Sequence, residues 1–155
     1  MATGRLNPGC IFCKIIRGDV PCQRVLDSER VLAFLDINPL AAGHTIVLPK
    51  HHVSDLIELP DEWAAELGRS FGRIAKVVVE TVGAEGFNVL QNNGTVAGQV
   101  VPHVHFHVVP RRAGDGLGFR WKARAAVPAE LNDLAQRIRA ALDVSKPLPD
   151  GRAAL

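Results

Sequence analysis

Residues 102–112 read PHVHFHVVPRR, from Pro102 to Arg112. Three of the chain's six histidines, His103, His105 and His107, alternate here with Val104, Phe106 and Val108. Alternation with a period of two marks a β-strand, whose successive side chains face opposite sides. The stretch predicts a central strand with three imidazoles on one face and an apolar face against a core. Alternate strand residues lie about 6.6 Å apart, from a rise of about 3.3 Å per residue. A central imidazole can therefore meet a substrate while its neighbours orient it. Three imidazoles are not ordinary core, because buried polar rings need partners.

Working outward, GFNVLQNN before this stretch predicts another strand, and the intervening GTVAGQ a glycine-containing loop. RVLDSERVLAFLDI predicts two short strands around a turn at 28–30, and GHTIVLPK a further strand opened by Gly43 and closed by Pro49. VSDLIEL suggests a short helix. A long helix is expected from Pro60 to Gly83, with Asp61 and Glu62 in its first turn. Its Trp63, Leu67, Phe71, Ile74 and Val78 recur at spacings of three and four, one buried stripe. A second amphipathic helix is expected at about 129–142, carrying Leu131, Leu134, Ile138 and Leu142, with an irregular tail after it. Paired strands with helices grouped between them give an α+β fold and a mainly antiparallel sheet.

The 155 residues suit one domain, and 47% hydrophobic content supports an ordinary core. A formal charge of +2 without runs of like charge speaks against general nucleic-acid binding. Residues 1–9 lack the apolar segment of a secretory signal, and no stretch approaches a membrane span. The three cysteines, Cys10, Cys13 and Cys22, argue against a disulfide framework and for a reducing cytoplasm.

The residues alone leave three readings of the histidine face. It is an exposed polar edge, a catalytic metal site completed by Asp36 or His44, or nucleophilic histidine chemistry at phosphorus, in which a second group orients the ring. The preceding NNGTVAGQVV favours the third, because glycines that bare backbone N–H groups build anion cradles.

HVHFHVV fits the alternating signature His-φ-His-φ-His-φ-φ, and the chain resembles the histidine triad (HIT) superfamily of nucleotide hydrolases and transferases. IFCKIIRGDVP, VLAFLDINPLAAGHTIVLPKHH and GFNVLQNNGTVAGQVVPHVHFHVVPRR resemble the Hint-type branch in the same order, and GDGLGFRW resembles the tail of bacterial members. The likeness covers roughly residues 9–125. It implies a five-stranded sheet with one long and one or two shorter helices, extended across a homodimer. It also implies a division into a flexible start (1–9), a HIT domain (10–125) and a C-terminal extension (126–155).

The resemblance further implies that the middle histidine, His105, attacks the α-phosphate of a purine nucleotide and forms a nucleotidyl-histidine intermediate, with no catalytic metal required. Its other ring nitrogen would be held by a backbone carbonyl, that of His103 being the candidate. His107 would contact the phosphate and assist proton transfer, and His44 would stand near the site. Gly98, Gln99 and the backbone N–H of Val100 match the phosphate loop, Asn92 a nucleotide contact, and Asp36 the ribose carboxylate. Ile11, Phe12, Phe34, Ile37 and Ile46 match the apolar base pocket, although Ile11, Phe34 and Ile46 equally suit a core.

Two positions depart from the Hint-type pattern. Val100 stands where Ser or Thr is usual, which removes a hydroxyl contact to phosphate. Pro102 has no N–H to offer. Cys10-Ile-Phe-Cys13 alone is ambiguous between a redox pair and half a zinc site. Related bacterial members hold a structural zinc with such a pair and two histidines, which correspond here to Cys10, Cys13, His52 and His103. Two rivals to the hydrolase are a nucleotide-binding sensor with little turnover and a metal-dependent hydrolase that uses the triad as ligands.

Overall fold

The computed structural model describes residues 4–118 and 125–142. The expectations for residues 1–3, for part of GDGLGFRW and for the tail from 143 lie outside them. Two units are distinguished, residues 1–117 and 118–155. In the second, the described element is helix α3 (Pro128–Ala141), opened by its proline, with Leu131, Leu134 and Ile138 exposed.

The first unit is built on a five-stranded antiparallel sheet. Its strands are β1 (Arg24–Asp27), β2 (Val31–Leu35), β3 (Thr45–Pro49), β4 (Gly86–Gln91) and β5 (Phe106–Arg111), in the order β1-β2-β3-β5-β4. Ser28 closes the β1–β2 turn by accepting from Val31 N–H through its hydroxyl. Helix α2 (Asp61–Val82) follows Pro60 as its cap, and Gly83 ends it in the left-handed region. VSDLIEL forms only one tight 3₁₀ turn, Leu56–Glu58, because Asp55 caps Ile57 N–H and Leu59 returns to extended backbone.

Strands β2 and β3 are buried on both faces, which accounts for their unbroken apolar runs. Val31, Ala33, Val47 and Val108 join Trp63, Leu67, Ile74 and Val78 of α2 in one core. Leu32, Phe34, Ile46 and Leu48 join Cys10, Phe12, Cys13 and Ile15 in the other. The last four belong to or cap α1 (Ile11–Arg17), a helix the sequence pattern leaves undrawn. Gly43, at φ +83°, is required before β3, since a Cβ there would lie 2.8 Å from Val82 and 3.2 Å from Val78.

The histidine strand is shorter than the alternation predicts. β5 begins at Phe106, which pairs with Val47, so His103 and His105 precede it. Pro102 has no N–H, and His103 N–H turns back to Val101 O, so the ladder cannot extend through them. Alternation nevertheless persists. Val104, Phe106 and Val108 face the α2 core, and the histidines face the side carrying α1. The start of the chain is tied down from Arg5 onward: His52 N–H donates to Arg5 O at 2.7 Å, and Arg5 N–H to His51 Nδ1 at 3.1 Å.

Candidate active site and adjoining thiol–imidazole cluster

The three histidines serve two centres. His103 is fully buried beside Cys10, Cys13 and His52. His105 lies next along the chain, 6% exposed, and His107 follows in β5 opposite Ile46.

His105 and His107 have defined tautomers. Nδ1 of His105 lies 2.7 Å from the carbonyl oxygen of His103, so it carries the proton and Nε2 keeps its lone pair. Leu40 N–H donates to Nδ1 of His44 at 3.1 Å, which puts the proton of the neutral His44 ring on Nε2. That nitrogen stands 2.9 Å from Nδ1 of His107 and donates to it. His107 therefore carries its own proton on Nε2. One ring presents a lone pair and the other an N–H donor, with the two rings 5.1 Å apart.

Burial lowers the pKa of His105, against the opposing His103 carbonyl and Asp36. It lowers that of His44 as well, against Asp36. His107 is pushed down to about 4 by burial, then by His105 and His44, with Asp36 opposing. All three are neutral at pH 7, as these tautomers require. Asp36 Oδ2 lies 3.6 Å from His44 Nδ1 and 4.0 Å from His107 Nδ1, while Oδ1 accepts Asn38 N–H at 2.8 Å.

The loop before the triad spends most of its donors on itself. A 3₁₀ turn at Thr95–Ala97 uses the N–H groups of Ala97, Gly98 and Gln99, and Gly94 N–H goes to Gln99 Oε1. The Gln99 amide also donates to Ser54 O at 2.7 Å, so its side chain braces the loop. Gly98 sits at φ +88°, and Asn92 Nδ2 reaches its carbonyl at 3.4 Å. Val100 projects into solvent, 89% exposed, and its N–H has no partner among the described residues.

Of the residues matched to the base pocket, Phe12, Phe34 and Ile46 are buried, with Phe12 edge-on to Phe34 at 5.9 Å and to His105 at 5.0 Å. Ile11 is half-exposed and Ile37 stands out at 91% exposure.

In the second centre, Cys10 Sγ and Cys13 Sγ lie 3.6 and 3.5 Å from His103 Nδ1. Cys13 Sγ is 3.5 Å from His52 Nδ1, and the two Nδ1 atoms are 3.2 Å apart. A tetrahedral zinc, with bonds of about 2.3 Å to sulfur and about 2.0–2.1 Å to nitrogen, sets S–N edges of about 3.5 Å and N–N edges of about 3.4 Å. The donor set fits such an ion in both type and spacing. Burial, resisted by Asn7 N–H and reinforced by Cys10, raises the Cys13 thiol to about 11, a balance a bound cation reverses. Burial likewise pushes His103 to about 4. His103 Nε2 donates to Pro49 O at 3.0 Å, the outer partner that metal-binding histidines usually have. Three backbone groups, Pro49 O, Leu40 N–H and Asn7 N–H, are absent from the sequence pattern because main-chain atoms carry no sequence signal.

The triad is not one ligand set. Its three Nδ1 atoms turn to the thiols, to a carbonyl and to His44.

The HIT domain family model matches residues 17–114. An adenosine 5'-monophosphoramidase of Schizosaccharomyces pombe is 43% identical over 130 residues, 83% of this chain and 95% of that protein. The crystal structure of a HIT family protein from Bacillus subtilis superposes with a TM-score of 0.81 at 42% identity, covering 84% of this chain and 95% of that one. A Zn-bound histidine triad family protein from Mycobacterium smegmatis gives a TM-score of 0.67 at 41% identity, covering 88% and 97%.

Proposed function

The chain belongs to the HIT domain family, and on that premise we propose that it is a hydrolase acting at the α-phosphate of purine nucleotides, with nucleoside phosphoramidates as the substrate class. The observation that carries the reading is the 2.7 Å contact between His105 Nδ1 and the His103 carbonyl, which leaves Nε2 as an oriented nucleophile.

His105 Nε2 attacks the α-phosphorus and the P–N bond to the leaving amine breaks. His107 Nε2–H, oriented by His44 Nε2–H, hydrogen-bonds the leaving nitrogen, and the amine takes its proton from solvent across that contact. The nucleotidyl-histidine is then hydrolysed. Water bonds phosphorus through its oxygen and releases its proton to solvent, and His105 leaves with its lone pair restored. Val100 N–H receives the phosphate oxygens, aided by Asn92, while Gly98 and Gln99 shape and brace the loop that presents it. Asp36 receives the ribose hydroxyls, and Ile11, Phe12, Phe34, Ile37 and Ile46 receive the base. Dinucleoside polyphosphates offer the same α-phosphorus with a different leaving group.

Cys10, Cys13, His52 and His103 would hold a structural zinc, which supplies cross-linking rather than chemistry. We assign residues 10–125 to the HIT domain, 1–9 to a leading segment and 126–155 to an extension. A homodimer is the proposed assembly. β4 is an edge strand, and Phe87 and Val89 on it and Val77 on α2 are exposed apolar groups. Among the described residues no helix is long and apolar enough to cross a membrane. Two free thiols beside two imidazoles suit a reducing cytoplasm.

The test is turnover of adenosine phosphoramidate and diadenosine tetraphosphate by the native chain and by His105→Ala. Loss of both activities in a folded variant, with an acid-labile adenylate trapped on the native chain, supports the reading. A native chain that binds AMP but turns over neither substrate supports a sensor instead, the alternative favoured by the missing hydroxyl at Val100.

A further inference from the structure

The thiol–imidazole cluster and the nucleophile share one residue. His103 contributes Nδ1 to the cluster and its carbonyl oxygen to His105. The sheet does not hold that carbonyl in place, because β5 starts only at Phe106. Residues 103–105 make two backbone bonds as donors outside the ladder, His103 N–H to Val101 O and Val104 N–H to Val53 O. Val104 N–H, in the same peptide as the His103 carbonyl, ties it to Val53 O on one side, and the His103 ring ties it on the other, bound at both nitrogens, Nε2 by Pro49 O and Nδ1 within the cluster.

A second bridge runs through α1. Phe12 lies between the two cysteines in sequence, and its ring meets His103 at 5.9 Å and His105 at 5.0 Å, both edge-on. Whatever pins Cys10 and Cys13 also sets that wall. Thiol–imidazole contacts of 3.5–3.6 Å are weak restraints on their own.

We propose that the Cys10, Cys13, His52 and His103 cluster is a positioning site for the reaction: an ion of the zinc class bound there holds the His103 peptide and the first turn of α1, and through them the ring of His105 and the Phe12 wall beside it. The proposal rests on the reading of His105 as nucleophile. It deepens that reading by making metal loading set how the nucleophile is presented.

Two variants, each measured in excess zinc, separate ligation from packing. His103→Asn is too short to reach Pro49 from the Nε2 position, so it removes both that donor and a strong ligand. His103→Cys keeps a ligand and gives up that donor. In the native protein, ring-nitrogen NMR is expected to show His105 as a single Nδ1–H tautomer. In His103→Asn the two tautomers average and kcat on adenosine phosphoramidate falls by about tenfold or more, the usual scale for outer-shell partners. His103→Cys returns the single tautomer and brings kcat to within about threefold of native. The proposal is overturned if His103→Asn keeps the ring signature and kcat, or if His103→Cys does no better than His103→Asn. Absence of turnover by the native chain would remove the functional reading, and the ring signature would still decide the coupling.

Discussion

Nε2 of His44 lies 2.9 Å from Nδ1 of His107, and Leu40 N–H fixes its direction as donor. In the proposed mechanism this contact sets which nitrogen of His107 faces the leaving group. Removing it in His44→Phe lets the His107 ring take either tautomer. We expect kcat on adenosine phosphoramidate to fall by about 10–100-fold with KM changed much less. His107→Ala, which removes the donor itself, should cost about 100-fold or more. A His44→Phe enzyme with native kcat would remove His44 from the proton path.

Acid should destabilise the protein through His107. Its pKa is held down to about 4 in the folded chain, mainly by burial, against an ordinary value of 6.5 in the unfolded one. Between those values the unfolded state binds more protons, so stability is complete above about pH 6.5 and falls as the pH drops toward 4. One such group contributes at most about 1.4 kcal/mol per pH unit across that window. Thermal melts from pH 7.5 to 4 should show a falling Tm, with a shallower slope for His107→Asn. Parallel slopes would contradict the assignment.

Metal analysis should find one zinc per chain, lost in Cys13→Ser. Free zinc at about one hundred times its Kd stabilises the fold by about 2.7 kcal/mol, so Tm should drop by several degrees when a strong chelator is added. A chain with no bound metal and no response to chelator would leave the cluster a thiol–imidazole packing group.

Val100→Ser adds a hydroxyl next to the N–H that the proposed mechanism sets against the phosphate. A hydrogen bond of about 0.5–1.5 kcal/mol formed in the transition state converts to a gain of about 2–12-fold in kcat. An unchanged kcat would show that the backbone donor alone does that work.

Phe87→Glu should turn a dimer into a monomer by light scattering. Phe87 is 47% exposed on the edge strand, where in the proposed dimer a charge would repel its symmetry mate. A native chain that already runs as a monomer would remove the proposed assembly.

Much of the fold is legible in the sequence because its signals are local. The alternation at 103–108, the three–four spacing of Trp63, Leu67, Ile74 and Val78, and the glycine after Val82 each describe an element without reference to the rest. Helix α1 was not legible, because IFCKIIR is seven residues long and is buried on Phe12, Cys13 and Ile15 without a full amphipathic period. The strand through His103 and His105 was overdrawn for the opposite reason. Alternation continued where Pro102 and the turn at His103 had already ended the ladder.

Which side chains share a face is readable from HVHFHVV alone, since it follows from the two-residue period of extended backbone. The employment of each ring is set by folding. His103 meets two thiols because α1 crosses that face of the sheet. His105 keeps its lone pair on Nε2 because a neighbouring carbonyl accepts from Nδ1–H and holds the ring's one proton there. His107 keeps its proton on Nε2 because β3 and β5 are neighbours and bring His44 against it. A tautomer is set by the partner at each nitrogen, and those partners are backbone atoms and distant residues that only folding brings within hydrogen-bond range.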